Sequence, residues 1–450
     1  MRGLIRLALG FYFRRIERFH IVRVPASGPV LFASNHPNSL TDSFVIGASV
    51  ARKVNFVATV ELFRFRPLRW LLTRCGVIPI NRLKDDPRAM RSVAATFEAC
   101  FAVLERGEAI GIFPEGITYD DSRLKEVKSG TARMALELEA RHNGALGLQI
   151  VPAGLTYSAK EIYRSEVLVN FGEPLRAADY LVGYAEHRKE CVHKLTAELE
   201  RRIQALILHL PQLEQTEVVE GVKQLYLQRL QLGNRVVQEP LSPRAEELEL
   251  TQRIAVAVAT VFASQPERAA VFARKLRYYE HWLKRLRLSD EHLTGDSLRG
   301  QWLVCLVAGA LLALLAAPLA LYGWLHRLPP ALVVTWAVGR FTHPGKHKAQ
   351  TSTVTVITGV VMFGVFYATY VGVVRWFFGW RVAFWYALTL PPISLIAYYY
   401  LEAVRRLAAN VRDLTVLMRA PLAAKRLKAL RRELVEEIES VHKQIKQPVT

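Results

Sequence analysis

Apolar residues recur along this chain with two different periods, and the change between them divides it. From residue 19 to residue 180, short apolar runs alternate with longer amphipathic stretches. The runs at residues 21–24, 30–34, 55–59, 77–80, 109–113, 148–155 and 167–171 read as strands. The clearest helical stretches between them are residues 87–106 and 129–141. Pro87 suits a first helical turn, and Gly107 suits a stop. This alternation predicts an α/β domain with a central, mostly buried sheet flanked by helices. Residues 181–300 are helical in composition and rich in Arg, Glu, Gln and Leu. Pro240 and Pro243 interrupt them, and they read as a basic helical adaptor. Residues 1–18 place Leu4, Leu7, Phe11 and Ile16 among Arg2, Arg6 and Arg14, the pattern of an amphipathic helix on a membrane surface.

Between residues 301 and 402 the pattern becomes continuous. The runs 302–325, 349–374 and 382–401 carry no charge. Each is long enough to cross a hydrocarbon core, which takes about 20 residues. A transmembrane region of two to three crossings is therefore expected. Arg375 and Arg381 bracket the aromatic stretch Trp376-Phe377-Phe378-Gly379-Trp380, which suits a membrane interface.

Charge sharpens this picture. The 450 residues carry a formal net charge of +20 while 51% are hydrophobic. Beside uncharged spans, a basic balance points to membrane lipids rather than nucleic acid, and no nucleic-acid-binding motif is found. Residues 403–450 form a basic helical tail, and basic tails stay preferentially on the cytoplasmic side. An integral membrane protein with its catalytic domain facing the cytoplasm follows (at the inner or plasma membrane, if the chain is bacterial). That arrangement needs an even number of crossings, so one of the three apolar runs is expected to be re-entrant or part of a hairpin. Four cysteines without a CxxC pair suggest neither a disulfide framework nor a metal site.

Candidate chemistry is concentrated after the strands of the α/β region. His36 follows the run 30–34, and Asp42 stands near the start of the next helix. Imidazole accepts protons near neutral pH, and a carboxylate orients it. Ser39, at that helix start, is expected to supply a capping hydrogen bond rather than a nucleophile. Arg82 follows the run 77–80, where a guanidinium either grips a phosphate or is simply solvated. Glu115 and Gly116 lie in Phe113-Pro114-Glu115-Gly116, which is either a plain turn or a place for close ligand approach. Lys128 stands at the opening of the helix 129–141, a plausible anion position or a solvated charge. The run 150–157, from Ile150 to Tyr157, reads as a pocket wall.

In this order and spacing, the four blocks resemble the glycerolipid acyltransferases of the lysophosphatidate/glycerol-3-phosphate acyltransferase superfamily. The resemblance covers roughly residues 20–175. It looks most like the branch with fungal glycerol-3-phosphate/dihydroxyacetone-phosphate acyltransferases and their bacterial relatives. The family pattern separates His and Asp by four residues, whereas five separate His36 from Asp42 here. Many members carry Thr-Arg after the glycine, where this chain has Ile117-Thr118. The resemblance implies O-acyl transfer from acyl-CoA or acyl carrier protein to a glycerol-phosphate acceptor, with no cofactor and no metal. His36 and Asp42 would be the catalytic pair, and Arg82, Glu115, Gly116 and Lys128 would form the substrate site. Another lysophospholipid or an alcohol as acceptor, or a non-catalytic membrane scaffold, are the alternatives.

Overall fold

A computed structural model of the chain describes residues 2–64, 66–80, 90–116, 124–160, 162–208, 213–234, 243–293, 299–341 and 348–446. The chain divides into two compact units. The first comprises residues 1–209, 240–248 and 338–357, and the second residues 210–239, 249–337 and 358–450.

The first unit is built on an eight-stranded mixed sheet. Its elements are α1 (Arg2–Tyr12), β1 (Arg15–Phe19), β2 (Val30–Ser34), α2 (Leu40–Ser49), β3 (Val54–Thr59), α3 (Arg66–Arg74), β4 (Ile78–Ile80), α4 (Met90–Glu105), β5 (Ala109–Ile112), α5 (Gly130–Arg141), β6 (Gln149–Tyr157), β7 (Glu166–Phe171), β8 (Leu175–Arg176) and α6 (Arg188–Leu206). The strand order is β1-β7-β6-β2-β5-β3-β4, with β8 also paired to β6. From β6 to β4 the neighbouring pairs are parallel, whereas β7 and β8 run antiparallel to β6.

β2 sits in the middle and is buried along its whole length. Its side chains alternate between two apolar layers. Leu31 and Ala33 face a layer shared with α4, α5 and α6, and Val30 and Phe32 face a layer shared with α1 and α2. With both faces covered, the strand can be apolar throughout. Polar groups are then left to the ends of the parallel strands, where chain and solvent meet.

Three local readings change. The amphipathic N-terminal helix stops at Tyr12, and residues 15–19 instead form β1, an edge strand parallel to β7. Residues 21–23 form a short 3-10 helix rather than a strand. The helix α6 packs its Leu195, Leu199 and Ile203 into the first unit's core, so that core extends past residue 180. On α1, Leu9 and Tyr12 are buried while Leu4, Leu7 and Phe11 are exposed. Arg2 and Arg6 donate to carbonyls at the C-terminal end of α2, including Ala51 at 2.7 Å and Ala48 at 3.2 Å. Cationic donors there satisfy orphan carbonyls and suit the helix dipole.

The second unit is helical. It holds α7 (Leu213–Asn234), most of α8 (Pro243–Ser264), α9 (Pro266–Leu286), most of α10 (Arg299–Phe341) and of α11 (Lys348–Arg419), and α12 (Pro421–Lys446). Two stretches, Val307–Phe341 and Thr353–Arg419, are long and apolar enough to cross a membrane. In their most apolar windows only 11% and 6% of residues are buried, the reverse of a soluble core helix. Gly379 breaks α11 with φ 79° and ψ 174°. The rings of Tyr370 and Tyr386 both lie within 6 Å of the His326 ring, at 5.4 and 5.8 Å. A straight helix would hold positions sixteen residues apart about 24 Å apart. α11 therefore doubles back at Gly379, and the exposed Trp376, Phe377, Phe378 and Trp380 form the tip of a hairpin. Gly309 meets Leu407 and Gly323 meets Ile393, so residues 309–323 of α10 run antiparallel to the second arm. The Ser289 backbone N–H donates to Asp413 at 2.9 Å, which puts the chain entering α10 beside the chain leaving α11.

Candidate active site

The site begins where β2 ends. Asn35 continues the ladder to β6 with its side chain: its amide donates to the Leu155 carbonyl at 3.0 Å and accepts from the Leu155 N–H at 2.7 Å. This lets the main chain leave the sheet at His36 without orphaning β6. Ser39 then adopts φ 52° and ψ −139°, a costly backbone for a non-glycine residue. That turn takes up the fifth intervening residue. His36 Nδ1 lies 2.9 Å from Asp42 Oδ2, so the longer spacing leaves the pair in hydrogen-bond contact.

Ser39 makes no side-chain cap, contrary to the expectation from its position. Asp42 does the capping instead. Asp42 Oδ2 accepts from the Asn38 backbone N–H at 2.7 Å, a capping-box bond displaced by one residue. Asp42 is fully buried, and it sits in the first turn of α2, where the helix dipole favours a carboxylate. Its other oxygen, Oδ1, accepts from the Tyr157 hydroxyl at 2.6 Å. Burial, then the Asp42 charge, pushes the Tyr157 phenol well above its ordinary range, so it remains a neutral donor.

Three further contacts fix His36. Its backbone N–H donates to Glu115 Oε1 at 3.0 Å. Its ring stacks on Phe113, with centroids 4.0 Å apart and planes 10° from parallel. Phe56 continues the column beneath Phe113 at 6.1 Å. Its ring occupies the space a side chain on Gly111 would fill. With Nδ1–H given to Asp42, the lone pair of the neutral imidazole is on Nε2. The His36 side chain keeps 18% of its surface exposed. The arrangement can therefore accept a proton at Nε2 and stabilise the resulting imidazolium through a buried carboxylate.

Glu115 and Gly116 follow β5, one strand over from β2. Glu115 is buried, and one of its oxygens is committed to the His36 backbone. Gly116 has φ 73°, and a side chain there would come 2.8 Å from Lys128 Nζ. Lys128 is exposed, and its backbone N–H ties to the Pro114 carbonyl at 3.0 Å. The structure thus brings His36, Asp42, Glu115, Gly116 and Lys128 to one end of the sheet. Arg82 lies outside the described residues, as do Ile117 and Thr118. Among the described residues, no three His, Cys, Asp or Glu side chains are grouped to hold a metal ion.

Residues 16–156 match the family model described as Acyltransferase. This stretch is an acyltransferase-family domain. The chain is 29% identical over 137 residues to glycerol-3-phosphate O-acyltransferase 1 of Saccharomyces cerevisiae, across 30% of this chain and 18% of the yeast protein. It is 27% identical over 172 residues to a 1-acyl-sn-glycerol-3-phosphate acyltransferase of Borreliella burgdorferi, across 38% of this chain and 63% of that protein. It thus spans less than a fifth of the yeast relative and under two thirds of the bacterial one. Among solved structures, the 1-acyl-sn-glycerophosphate acyltransferase PlsC of Thermotoga maritima matches with a TM-score of 0.33 and 17% identity. That match covers 46% of this chain and 79% of the other.

Several groups of the first unit carry no signal in the sequence that ties them to the site. Tyr157 was visible as part of a strand, but nothing in the sequence ties it to Asp42. Phe113 reads as the last residue of the run 109–113 and the first of the turn after it, and its ring is the surface on which His36 lies. Thr353, in the first turns of α11, contacts Thr41 with hydroxyls 3.1 Å apart. Val356 joins the core layer on the same side of the sheet as α2. The apolar run 349–374 hides that role, because nothing in its composition marks its first turns as part of a sheet-borne core.

Proposed function

We propose that the chain is a membrane-bound O-acyltransferase. It moves a fatty acyl group from acyl-CoA or acyl carrier protein to a hydroxyl of glycerol 3-phosphate or 1-acyl-sn-glycerol 3-phosphate. The observation that carries this reading is the His36–Asp42 contact at the C-terminal end of β2, inside an acyltransferase-family domain. The names of the yeast and bacterial relatives supply the choice of acceptors.

In this mechanism His36 Nε2 takes the proton of the acceptor hydroxyl as its oxygen attacks the thioester carbonyl. A C–O bond forms, and the tetrahedral intermediate collapses by breaking the C–S bond. The proton held on His36 passes to the departing thiolate, which leaves as a thiol. Asp42 orients the ring and balances its charge during the interval. Positioned acid–base chemistry of this kind contributes about 10²–10⁴-fold. No acyl-enzyme is invoked, since Ser39 is engaged in a strained turn rather than set against His36 as a nucleophile. Arg82 and Lys128 are assigned the acceptor phosphate, and Glu115 and Gly116 the shape of its site.

The two long apolar helices support the membrane setting, with the aromatic tip at one interface and the basic tail at the cytoplasmic one. The exposed Leu4, Leu7 and Phe11 of α1 would rest in the headgroup layer.

The test is an acceptor panel on the full chain in nanodiscs. Labelled acyl-CoA or acyl carrier protein is offered with glycerol 3-phosphate, dihydroxyacetone phosphate, lysophosphatidate, other lysophospholipids and a simple alcohol. Transfer to a glycerol-phosphate acceptor, with Arg82→Ala raising its KM, is expected. Transfer to the simple alcohol alone, or to no acceptor, overturns the reading.

A further inference from the structure

The buried carboxylate of the site has a third partner that the reaction above does not use. Asp42 Oδ2 is shared by His36 and the Asn38 backbone, and Oδ1 is held by the Tyr157 hydroxyl at 2.6 Å. We infer that Tyr157 is a positioning residue which sets how strongly Asp42 supports the charged form of His36, making the unit a His36–Asp42–Tyr157 chain rather than a pair. The inference rests on the acid–base reading of His36.

Three observations carry it. First, Tyr157 is the last residue of β6, the strand hydrogen-bonded to β2, so its hydroxyl is placed by the sheet itself and not by a loop. Secondly, the Tyr157 ring packs 5.9 Å from that of Phe13, and Phe13 is buried. Thirdly, Asp42 is fully buried, so water cannot replace a missing donor at Oδ1 without opening the core.

The electrostatic consequence has a definite sign. A donor on Oδ1 draws carboxylate charge away from Oδ2, and Oδ2 is the oxygen facing His36. Removing the donor concentrates charge at the imidazole and favours its protonated form. A histidine that must start neutral then needs a higher pH to work. The other titratable groups facing this chain are Tyr12 of α1, beside Tyr157, and Glu115 and Lys128 beyond β5. None of these donates to Asp42 in the structure, so substitution at Tyr157 should reveal the effect without their compensation.

The experiment measures kcat and KM for acyl transfer against pH, on the full chain in nanodiscs, for wild type, Tyr157→Phe, Asp42→Asn and the double variant. On the acid limb Tyr157→Phe should lower kcat about three- to tenfold, the loss of neutral His36 that a shift of half to one pH unit brings. KM should stay within about twofold, because the hydroxyl touches no substrate. The acid limb of the kcat profile should move up by about half a pH unit to one unit. In the Asp42→Asn background the same change should do little, a non-additivity that a merely structural tyrosine would not show. If Tyr157→Phe folds poorly, 3-fluorotyrosine at position 157 preserves the packing and donates more strongly, and the limb should move down instead. An unshifted limb with wild-type kcat, or losses that simply add, would overturn the inference. His36→Ala separates the two levels: retained transfer there defeats the acid–base reading itself, whereas its loss alongside an indifferent Tyr157→Phe defeats only the role of Tyr157.

Discussion

The strand ends of the first unit and the long helices of the second satisfy their side chains in opposite ways. At the ends of β2, β5 and β6, polar groups are buried and bonded to one another: Asn35 to the Leu155 backbone, Asp42 to His36 and Tyr157, and Glu115 to the His36 backbone. Along α10 and α11, Leu314, Leu315, Trp336, Trp376 and Trp385 are more than 60% exposed. The first region is complete within the protein. The second leaves large apolar side chains uncovered by the described residues. The candidate site is thus pre-organised by side chains of the first unit.

Perturbations should separate the two regions. The largest effect is expected from Asp42→Ala, which strips His36 of its orienting carboxylate. Acyl transfer should fall by about 10²–10⁴-fold with the protein still folded in detergent, as read by turnover and circular dichroism. A smaller loss should follow Gly111→Ala. The new methyl group meets the Phe56 ring, so the Phe56–Phe113–His36 column must shift. About 1–3 kcal/mol of stability should be lost by thermal melting, together with some kcat. Gly323→Ala should cost a similar amount of stability in the second unit, since its methyl group meets the Ile393 backbone carbonyl where α10 and α11 approach closely. Its kcat per folded molecule should be unchanged, and a fall in kcat equal to that of Gly111→Ala would erase the contrast between the regions.

The smallest effect is a pH dependence. Hydrogen bonds from Arg201 and then Arg202 hold the Glu198 carboxyl down at about 2, against its ordinary value of 4.5. A carboxylate lowered in the fold contributes stability above pH 4.5 and loses it as pH falls toward 2. Glu198→Gln should lower the unfolding free energy of the first unit at neutral pH and flatten its fall across that acid window, so that variant and wild type converge toward pH 2.

Much of the first unit was legible because its physics is local in sequence. β2 could be read from four apolar residues and the serine that follows them, and β3 to β7 from runs whose bounds moved by two residues at most. The His36 and Phe113–Gly116 blocks mark strand ends because polar and turn residues follow apolar runs. Other features depend on the assembled sheet. The five-residue gap between His36 and Asp42 is resolved by the backbone of Ser39, and no propensity predicts a positive φ at a serine. Tyr157 reaches Asp42 across 115 positions, and Thr353 reaches Thr41 across 312. The N-terminal helix ended early because pairing with β7 outweighed helical periodicity in residues 15–19. In the second unit, composition marked the apolar runs, but the reversal at Gly379 needed the ring contacts of His326 with both arms.

The most direct measurement is single-turnover acyl transfer in nanodiscs, comparing wild type with His36→Ala at matched folded concentration. Labelled acyl-CoA serves as donor and glycerol 3-phosphate or lysophosphatidate as acceptor. The account predicts ester formation by the wild type and a rate near background for His36→Ala, with donor and acceptor binding retained. Transfer by His36→Ala at the wild-type rate would contradict it.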